Sequence, residues 1–367
     1  SSGTHTLTTE NKLVGVENVT LSNSVSGTTI DLSNQTEIFT ITGGNFIDNI
    51  TSGKGDDTID GGGEADSITG GAGDDIITGG SGNDIITVDF GTDTVKDLGG
   101  SAGGDDDVVV VNANASLVAT DIVDFEATAS TQNNSTDADN ASLSAKDGVD
   151  AIINMSAATG TSGAFTLTGG TGQDSLTGGA GADIISGGDE VDTIVGGDEA
   201  DVITGGAGDD SLTGDAGNDT FHVDSGTDTV TDLGGSGGEN DVLIVYDTAS
   251  VNATDIISFT ALDTTQNNSS DASNAVLRAK DGGNRTISVA SATGTSGSFT
   301  LVSGDGNDYL TGGAGDDIII IENAGEGDAD TIDGGVGTDT LQLSSGTHTL
   351  TTENKLVGVE KIGRAHV

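Results

Sequence analysis

The chain contains no cysteine, no proline and no tryptophan, and aromatic residues make up 3% of its 367 positions. The lack of cysteine excludes disulfide staples and thiolate metal sites. Positive charge is also scarce: 10 Lys and Arg stand against 60 Asp and Glu, a net charge of −50. Such a chain repels itself and is repelled by nucleic acid and anionic membranes, which are not expected as partners. No run of 18 apolar residues occurs, so no membrane-spanning helix is expected, and no segment shows helical periodicity. A polyanion without disulfides needs other cross-links to become compact, and divalent cations can supply them.

Glycine, by contrast, is abundant at 61 residues. Without periodicity such a composition reads as disordered. Here the glycines recur every nine residues, which points to repeated turns. Fifteen nonapeptides fall into three blocks, residues 43–87, 169–222 and 303–342, the last interrupted by a four-residue insertion at 321–324. The sixth-position acids are Asp48, Asp57, Asp66, Asp75 and Asp84 in the first block. They are Asp174, Asp183, Asp192, Asp201, Asp210 and Asp219 in the second, and Asp308, Asp317, Asp330 and Asp339 in the third. The eighth position is apolar throughout, as at Ile50, Ile59, Ile68, Ile77 and Ile86.

Other segments surround these blocks. Residues 1–42 hold short Thr/Val/Ile runs at 6–7, 13–16, 19–21, 29–32 and 38–41, which read as strands whose spacing suits solenoid rungs. Residues 88–168 and 223–302 are two copies of a β-rich intervening module. Residues 91–95 recur at 226–230 and residues 131–135, T-Q-N-N-S, recur at 265–269. Residues 1–17 recur letter for letter at 344–360, so 343–360 restarts the first module. The sequence reads as one period of a longer tandem array, and its first residue, Ser1, as the start of a fragment. Residues 361–367, KIGRAHV, leave the repeat and correspond to the translation of a common short-read sequencing adapter. They are expected to be an assembly artefact and are set aside from fold reasoning.

The nonad suits calcium for definite chemical reasons. In G-G-A-G-D-D-S-L-T (residues 205–213) glycines at positions one, two and four allow positive φ and let carbonyls crowd a small volume. The sixth-position Asp adds a hard carboxylate, and calcium takes six to eight oxygens of both kinds at about 2.3–2.6 Å. Magnesium demands a tighter octahedron and keeps its waters, so a carbonyl-rich cage favours calcium. The last three residues make a short strand with the eighth pointing inward. Two nonads per coil would stack coils about 4.8 Å apart, with ions linking neighbouring turns. One inward apolar residue in nine is a thin core, so ion binding should supply much of the folding free energy.

Fifteen such nonads resemble the RTX, or haemolysin-type, calcium-binding repeat family, whose pattern is G-G-x-G-x-D-x-U-x. The resemblance implies an all-β fold: right-handed parallel β-roll or β-helix solenoid blocks with β-rich modules between them. It implies calcium as the bound ion and type I secretion to the cell surface or exterior. The implied calcium ligands are the sixth-position aspartates named above and the turn glycines Gly53, Gly55, Gly71, Gly73, Gly80, Gly82, Gly170, Gly172, Gly179, Gly181, Gly206, Gly208, Gly313 and Gly315. Departures fall at Phe46, Glu64, Glu190 and Glu199 (position four) and at Ser52, Asp215 and Glu326, where weaker or altered binding is expected.

Catalytic signals are weak. The G-x-S-x-G matches at 99–103 and 234–238 lack the helix that a nucleophile elbow requires, and no H-E-x-x-H is present. The acidic glycine loops disfavour phosphate. His222 sits at an outward strand position and reads as solvated. The expected role is therefore non-enzymatic: a calcium-stabilised structural or adhesive repeat region of a large secreted surface protein, folding on export. Two other roles are also weighed. In one, the intervening modules bind a cell-surface glycan, a host surface or ice, or neighbouring repeats, with the nonads as spacers; their T-Q-N-N-S patches are sugar or ice candidates that otherwise read as solvated loops. In the other, the chain is a non-catalytic region of a secreted enzyme or toxin.

Overall fold

The computed structural model describes residues 4–6, 13–21, 26–99, 106–135, 141–160, 163–234, 239–269, 275–294, 297–322, 330–344 and 355–364. Among them all regular structure is β and no helix occurs. The chain divides into two compact units, residues 1–185 and 186–367.

In the first unit parallel strands stack in two columns. One contains Thr29–Asp31, Asn49–Thr51, Ser67–Thr69 and the start of Ile85–Lys96. The other contains Asn18–Thr20, Thr40–Gly44, Thr58–Gly63, Ile76–Ser81 and the end of Ile85–Lys96. Ile50 pairs with Ile68 and Ile59 with Ile77, so each strand pairs with the one two nonads further on and one rung is two nonads. This is a β-solenoid, with side chains alternating inward and outward along each strand.

The intervening module continues the solenoid. Ile85–Lys96 pairs along its length with Val108–Ile122, which pairs in turn with Gln132–Asn133 and Ala141–Ala145. A third column starts within the module: Asp124–Glu126, Ile152–Asn154 and Ser175–Gly179. The first column ends at the single bridge Gln132↔Thr159. The module therefore widens the rung to three strands, retires one face and opens another. Pairing separation grows accordingly, from Ile50↔Ile68 in the nonads to Asp124↔Ile152 in the module.

The second unit repeats this plan. Thr193–Asp198 stacks on Ser211–Ala216, and Val202–Ala207 on Thr220–Thr231. The module strands Val242–Ile256, Ser258–Thr260, Gln266–Asn267, Ala275–Ala279 and Thr286–Ser288 reproduce Val108–Ile122, Asp124–Glu126, Gln132–Asn133, Ala141–Ala145 and Ile152–Asn154 strand for strand. One face ends at Gln266↔Thr293, and a new one runs Ser258–Thr260, Thr286–Ser288, Tyr309–Thr311, Thr331–Asp333 and Lys355–Val357. Lys361–Arg364 pairs with Thr340–Leu343, taking the place in the repeat that Asn18–Thr20 holds near the start of the chain.

The core follows from this alternation. All fifteen eighth-position side chains are buried, and in both units the nonad core is a single file of Ile and Leu capped by Phe221 in the second block. The modules are richer. Phe125, Phe165, Phe259 and Phe299 are wholly buried, with Val109, Leu117, Leu143 and Ile153 packed inward in the first copy. Two expected strands shift. Residues 13–16 form a turn, with Gly15 at φ +70° and Val14 78% exposed. Ile38 is 61% exposed because Phe39 and Ile41 take the inward positions.

Candidate metal centre

Each nonad turns its strand back with a glycine bend, and the sixth residue then points inward beneath that bend. All fifteen sixth-position aspartates are buried, although a bare buried carboxylate is costly unless it is paired or bonded. One oxygen of each is accounted for by the stacking. Asp66 Oδ1 accepts the backbone N–H of Asp48 at 2.7 Å, Asp75 that of Asp57 at 2.8 Å, and Asp84 that of Asp66 at 2.7 Å. The second unit repeats the ladder, with Asp210 accepting from Asp192, Asp219 from Asp201 and Asp339 from Asp317. Every such bond reaches back one rung.

The other oxygen is different. In Asp66, Asp75, Asp210 and Asp339, Oδ2 is buried with no hydrogen-bond donor. Beside it lies the space left by a first-position glycine. A Cβ built on Gly61 would lie 2.6 Å from Asp66 Oδ2 and 2.5 Å from the Gly79 carbonyl oxygen of the next rung. On Gly205 it would lie 2.5 Å from Asp210 Oδ2 and 3.2 Å from Asp228 Oδ2. On Gly334 it would meet Asp339 Oδ2 at 2.6 Å and the Gly358 carbonyl at 2.2 Å. Carboxylate and carbonyl oxygens thus converge on a cradle that only glycine leaves open. Hard oxygen donors of both kinds fit calcium. Among the described residues no three His, Cys, Asp or Glu side chains cluster as a metal site, and the oxygens that meet in the cradle are a carboxylate and a backbone carbonyl.

Burial governs the electrostatics. Desolvation pushes Asp66, Asp75, Asp183 and Asp228 up to about 7, and Asp93, Asp219 and Asp317 up to about 6. Backbone N–H bonds oppose this shift in each case, and in all but Asp183 nearby like charge adds to it, as Asp84 and Asp48 do for Asp66. A cation in the cradle would remove the penalty that these shifts express.

The implied glycine ligands divide. Gly71, Gly80, Gly170, Gly179 and Gly206 at position two take positive φ, as do Gly73, Gly82, Gly172 and Gly208 at position four. Gly53, Gly55, Gly181, Gly313 and Gly315 do not. Carbonyls at positions two and four point along the stack: the Gly53 oxygen faces Gly71, and the Gly208 oxygen faces Gly226. The carbonyl that shares the cradle with a carboxylate comes from position one, Gly79 beside Asp66 and Gly205 beside Asp192, which the pattern alone did not single out.

Two further aspartates were missed. Asp93 and Asp228 are fully buried, and their Oδ2 atoms lack donors. Asp93 Oδ1 accepts from Asp75, and Asp228 Oδ1 from Asp210. They extend the ladder one rung beyond the first and second blocks. Residues 88–96 keep Gly91, Asp93 and Val95 in the nonad frame although the leading glycines are lost, and 223–231 do the same, so the frame itself could have revealed them. Asp107 and Asp241 follow, each bonded by both oxygens to backbone N–H groups.

The glutamates at which weaker or altered binding is expected keep the left-handed turn conformation. Glu64, Glu190 and Glu199 take φ of +66°, +80° and +70°, and Asp215 takes +64°. Left-handed conformation costs about 1–2 kcal/mol in a residue bearing a Cβ. The Glu190 carbonyl still faces Gly208, as a glycine carbonyl would. Glu326 lies outside the described residues.

The remaining candidates resolve as follows. In the T-Q-N-N-S patches Thr131, Asn133 and Ser135 are buried, as are Thr265, Asn267 and Ser269. Asn133 Nδ2 donates to the Ala164 carbonyl and its Oδ1 accepts from Ser135 N–H at 2.9 Å. Three of the five residues in each patch thus face inward as a polar rung. His222 Nδ1 lies 3.1 Å from Tyr246 Oη, and the two rings stack at 6.1 Å on the surface. Ser101 and Ser236 of the G-x-S-x-G matches lie outside the described residues.

Comparison with protein families agrees with this geometry. The model of the RTX calcium-binding nonapeptide repeat (4 copies) matches residues 40–68, 60–95, 159–194, 195–230, 293–320 and 324–347. These spans include Asp93 and Asp228. No curated protein matches the chain.

Proposed function

The chain carries RTX calcium-binding nonapeptide repeats, and on that premise we propose that it is the calcium-locked structural and adhesive repeat region of a secreted or cell-surface protein. One observation supports this most strongly: buried Oδ2 atoms without donors, as in Asp66, Asp75 and Asp210, stacked beside glycine cradles. Protein atoms alone leave these carboxylates costly, and a divalent cation makes them favourable.

The proposed mechanism is a folding switch. With a net charge of −50 the chain stays expanded where free calcium is low, a state suited to threading through an exporter. Outside the cell, sites of modest affinity, about 10⁻⁴–10⁻³ M for extracellular modules, fill at millimolar calcium. First-position carbonyls and sixth-position carboxylates would hold the ion, which supplies charge neutralisation and a link between rungs. The proposal includes no catalytic role. Far-UV circular dichroism of the chain with calcium and with chelator tests the switch. β content should appear with calcium, and unchanged β content after chelation would sink the idea. A glycan-binding role of the intervening modules would have to use residues other than Thr131, Asn133 and Ser135, which are buried.

A further inference from the structure

Not every turn of the ladder is built alike. We infer that the first two turns of the first block and of the third, those of Asp48, Asp57, Asp308 and Asp317, exclude calcium. Each of these blocks then begins with ion-free rungs, and its ion ladder starts later. The inference rests on the calcium reading above and divides the sites that reading treats as one class.

In an open turn the second-position glycine takes positive φ and Oδ2 has no donor. Gly62 at φ +107° accompanies Asp66, Gly71 at +99° Asp75, Gly206 at +107° Asp210, and Gly335 at +93° Asp339. In a closed turn the second-position glycine lies outside the positive-φ region and its N–H is aimed at the carboxylate. Gly44 donates to Asp48 Oδ2 at 2.8 Å, Gly53 to Asp57 at 3.1 Å, Gly304 to Asp308 at 3.0 Å and Gly313 to Asp317 at 2.7 Å. An N–H presents its positive end to the lone pairs a cation would use, so the two compete for one oxygen. Glycine permits either peptide orientation, and its choice decides between them.

Two of the closed turns are obstructed as well. Ser52 occupies the first position, and its hydroxyl donates to Asp57 Oδ2. Ser303 occupies the first position of the Asp308 turn and is itself buried. Both place a Cβ where the open turns have none. Moreover, the Oδ1 bonds of the four come from Thr28, Phe39, Arg285 and Phe299, so no sixth-position carboxylate lies one rung earlier to share an ion. The second block begins differently, with Gly170 at φ +96° and Gly179 at +152°, and is not included.

Two measurements on the full chain decide the matter. In equilibrium dialysis against calcium, Asp75→Asn should bind at least one ion fewer than the wild type, and Asp57→Asn should bind the wild-type number. An equal loss in both variants overturns the inference and leaves the calcium reading standing. Should Asp57→Asn fail to fold, an anomalous difference map from calcium-grown crystals of the wild type serves instead. Peaks are expected beside Gly61, Gly70 and Gly205, and a peak beside Gly43, Ser52, Ser303 or Gly312 overturns the inference. A wild-type chain that binds no calcium would overturn the calcium reading and this inference with it.

Discussion

Asp66 and Asp48 are joined across one rung: Asp66 Oδ1 accepts the Asp48 backbone N–H at 2.7 Å, and Asp66 Oδ2 is left buried without a donor. Asp66→Asn retains the acceptor and removes the charge. At the lowest calcium concentration that still folds the chain the two should differ little, because the lost ion is then only partly bound and a buried unpaired charge is gone. In saturating calcium it should be less stable, by up to about 2.7 kcal/mol if the lost ion stood at a hundred times its Kd. Urea denaturation in both conditions checks this. A variant that loses equal stability in each would show that Asp66 acts only through its hydrogen bond.

The raised aspartates dictate a pH dependence for the calcium-free fold. In the unfolded chain these groups ionise near 3.8, whereas in the solenoid Asp66, Asp75, Asp183 and Asp228 hold their protons to about 7. Between those values the folded state binds more protons, so stability falls as pH rises from about 4 to 7. In chelator the chain should therefore show β content and a melting transition at pH 4.5 that are lost by pH 8. Calcium affinity should move the opposite way, because protons and calcium compete for the same oxygens. A calcium-free melting midpoint that rises with pH contradicts the burial argument.

Two adjacent glycines should behave differently. Gly205 has ordinary backbone torsions, and a Cβ there would crowd Asp210 Oδ2 at 2.5 Å. Gly205→Ala should therefore lower calcium stoichiometry by one and cost no more stability than the lost ion contributed. Gly206 has φ +107°, and a Cβ would meet the Gly188 carbonyl at 2.1 Å. Gly206→Ala should destabilise the chain with or without calcium, by at least about 1–2 kcal/mol. Isothermal titration calorimetry and denaturation together separate the two outcomes.

Asn133 tests the module independently of metal. Its side chain binds the Ala164 carbonyl and the Ser135 amide, both within the core. Asn133→Ala removes both bonds from a buried site and should cost about 1–3 kcal/mol at saturating calcium without changing the number of ions bound. Asn267→Ala should reproduce the effect, since Asn267 repeats the arrangement with Ser298 and Ser269. A changed number of bound ions in either variant would tie the module to the ion ladder.

How much of this was legible in sequence differs from residue to residue. The sixth and eighth positions declared themselves, because Asp and Ile recur at a fixed interval and a two-nonad coil follows from strand geometry. Asp93 and Asp228 did not, because Val88–Asp89 and Val223–Asp224 replace the leading glycines while the inward positions persist. The continuity of the solenoid through the modules was hidden by rung lengths that leave the two-nonad register. Asn133 was hidden by its polarity: alternation marks inward positions only when they are apolar, and an internal amide ladder reads as a surface. The difference between Asp57 and Asp75 was half visible in Ser52, but Asp317 closes within an intact G-G-A-G-D-D, and only the peptide orientation reveals it.

The two-nonad register also has a mechanical meaning. Each rung of the nonad blocks touches only the rungs before and after it, so tension along the chain loads one interface at a time. Peeling off one rung releases about 60 Å of extended chain, at roughly 3.3–3.6 Å per residue. Stretched between two surfaces, the array would lengthen in steps of that size rather than break at once. The calcium concentration outside would set the force of each step, and returning calcium would rewind it.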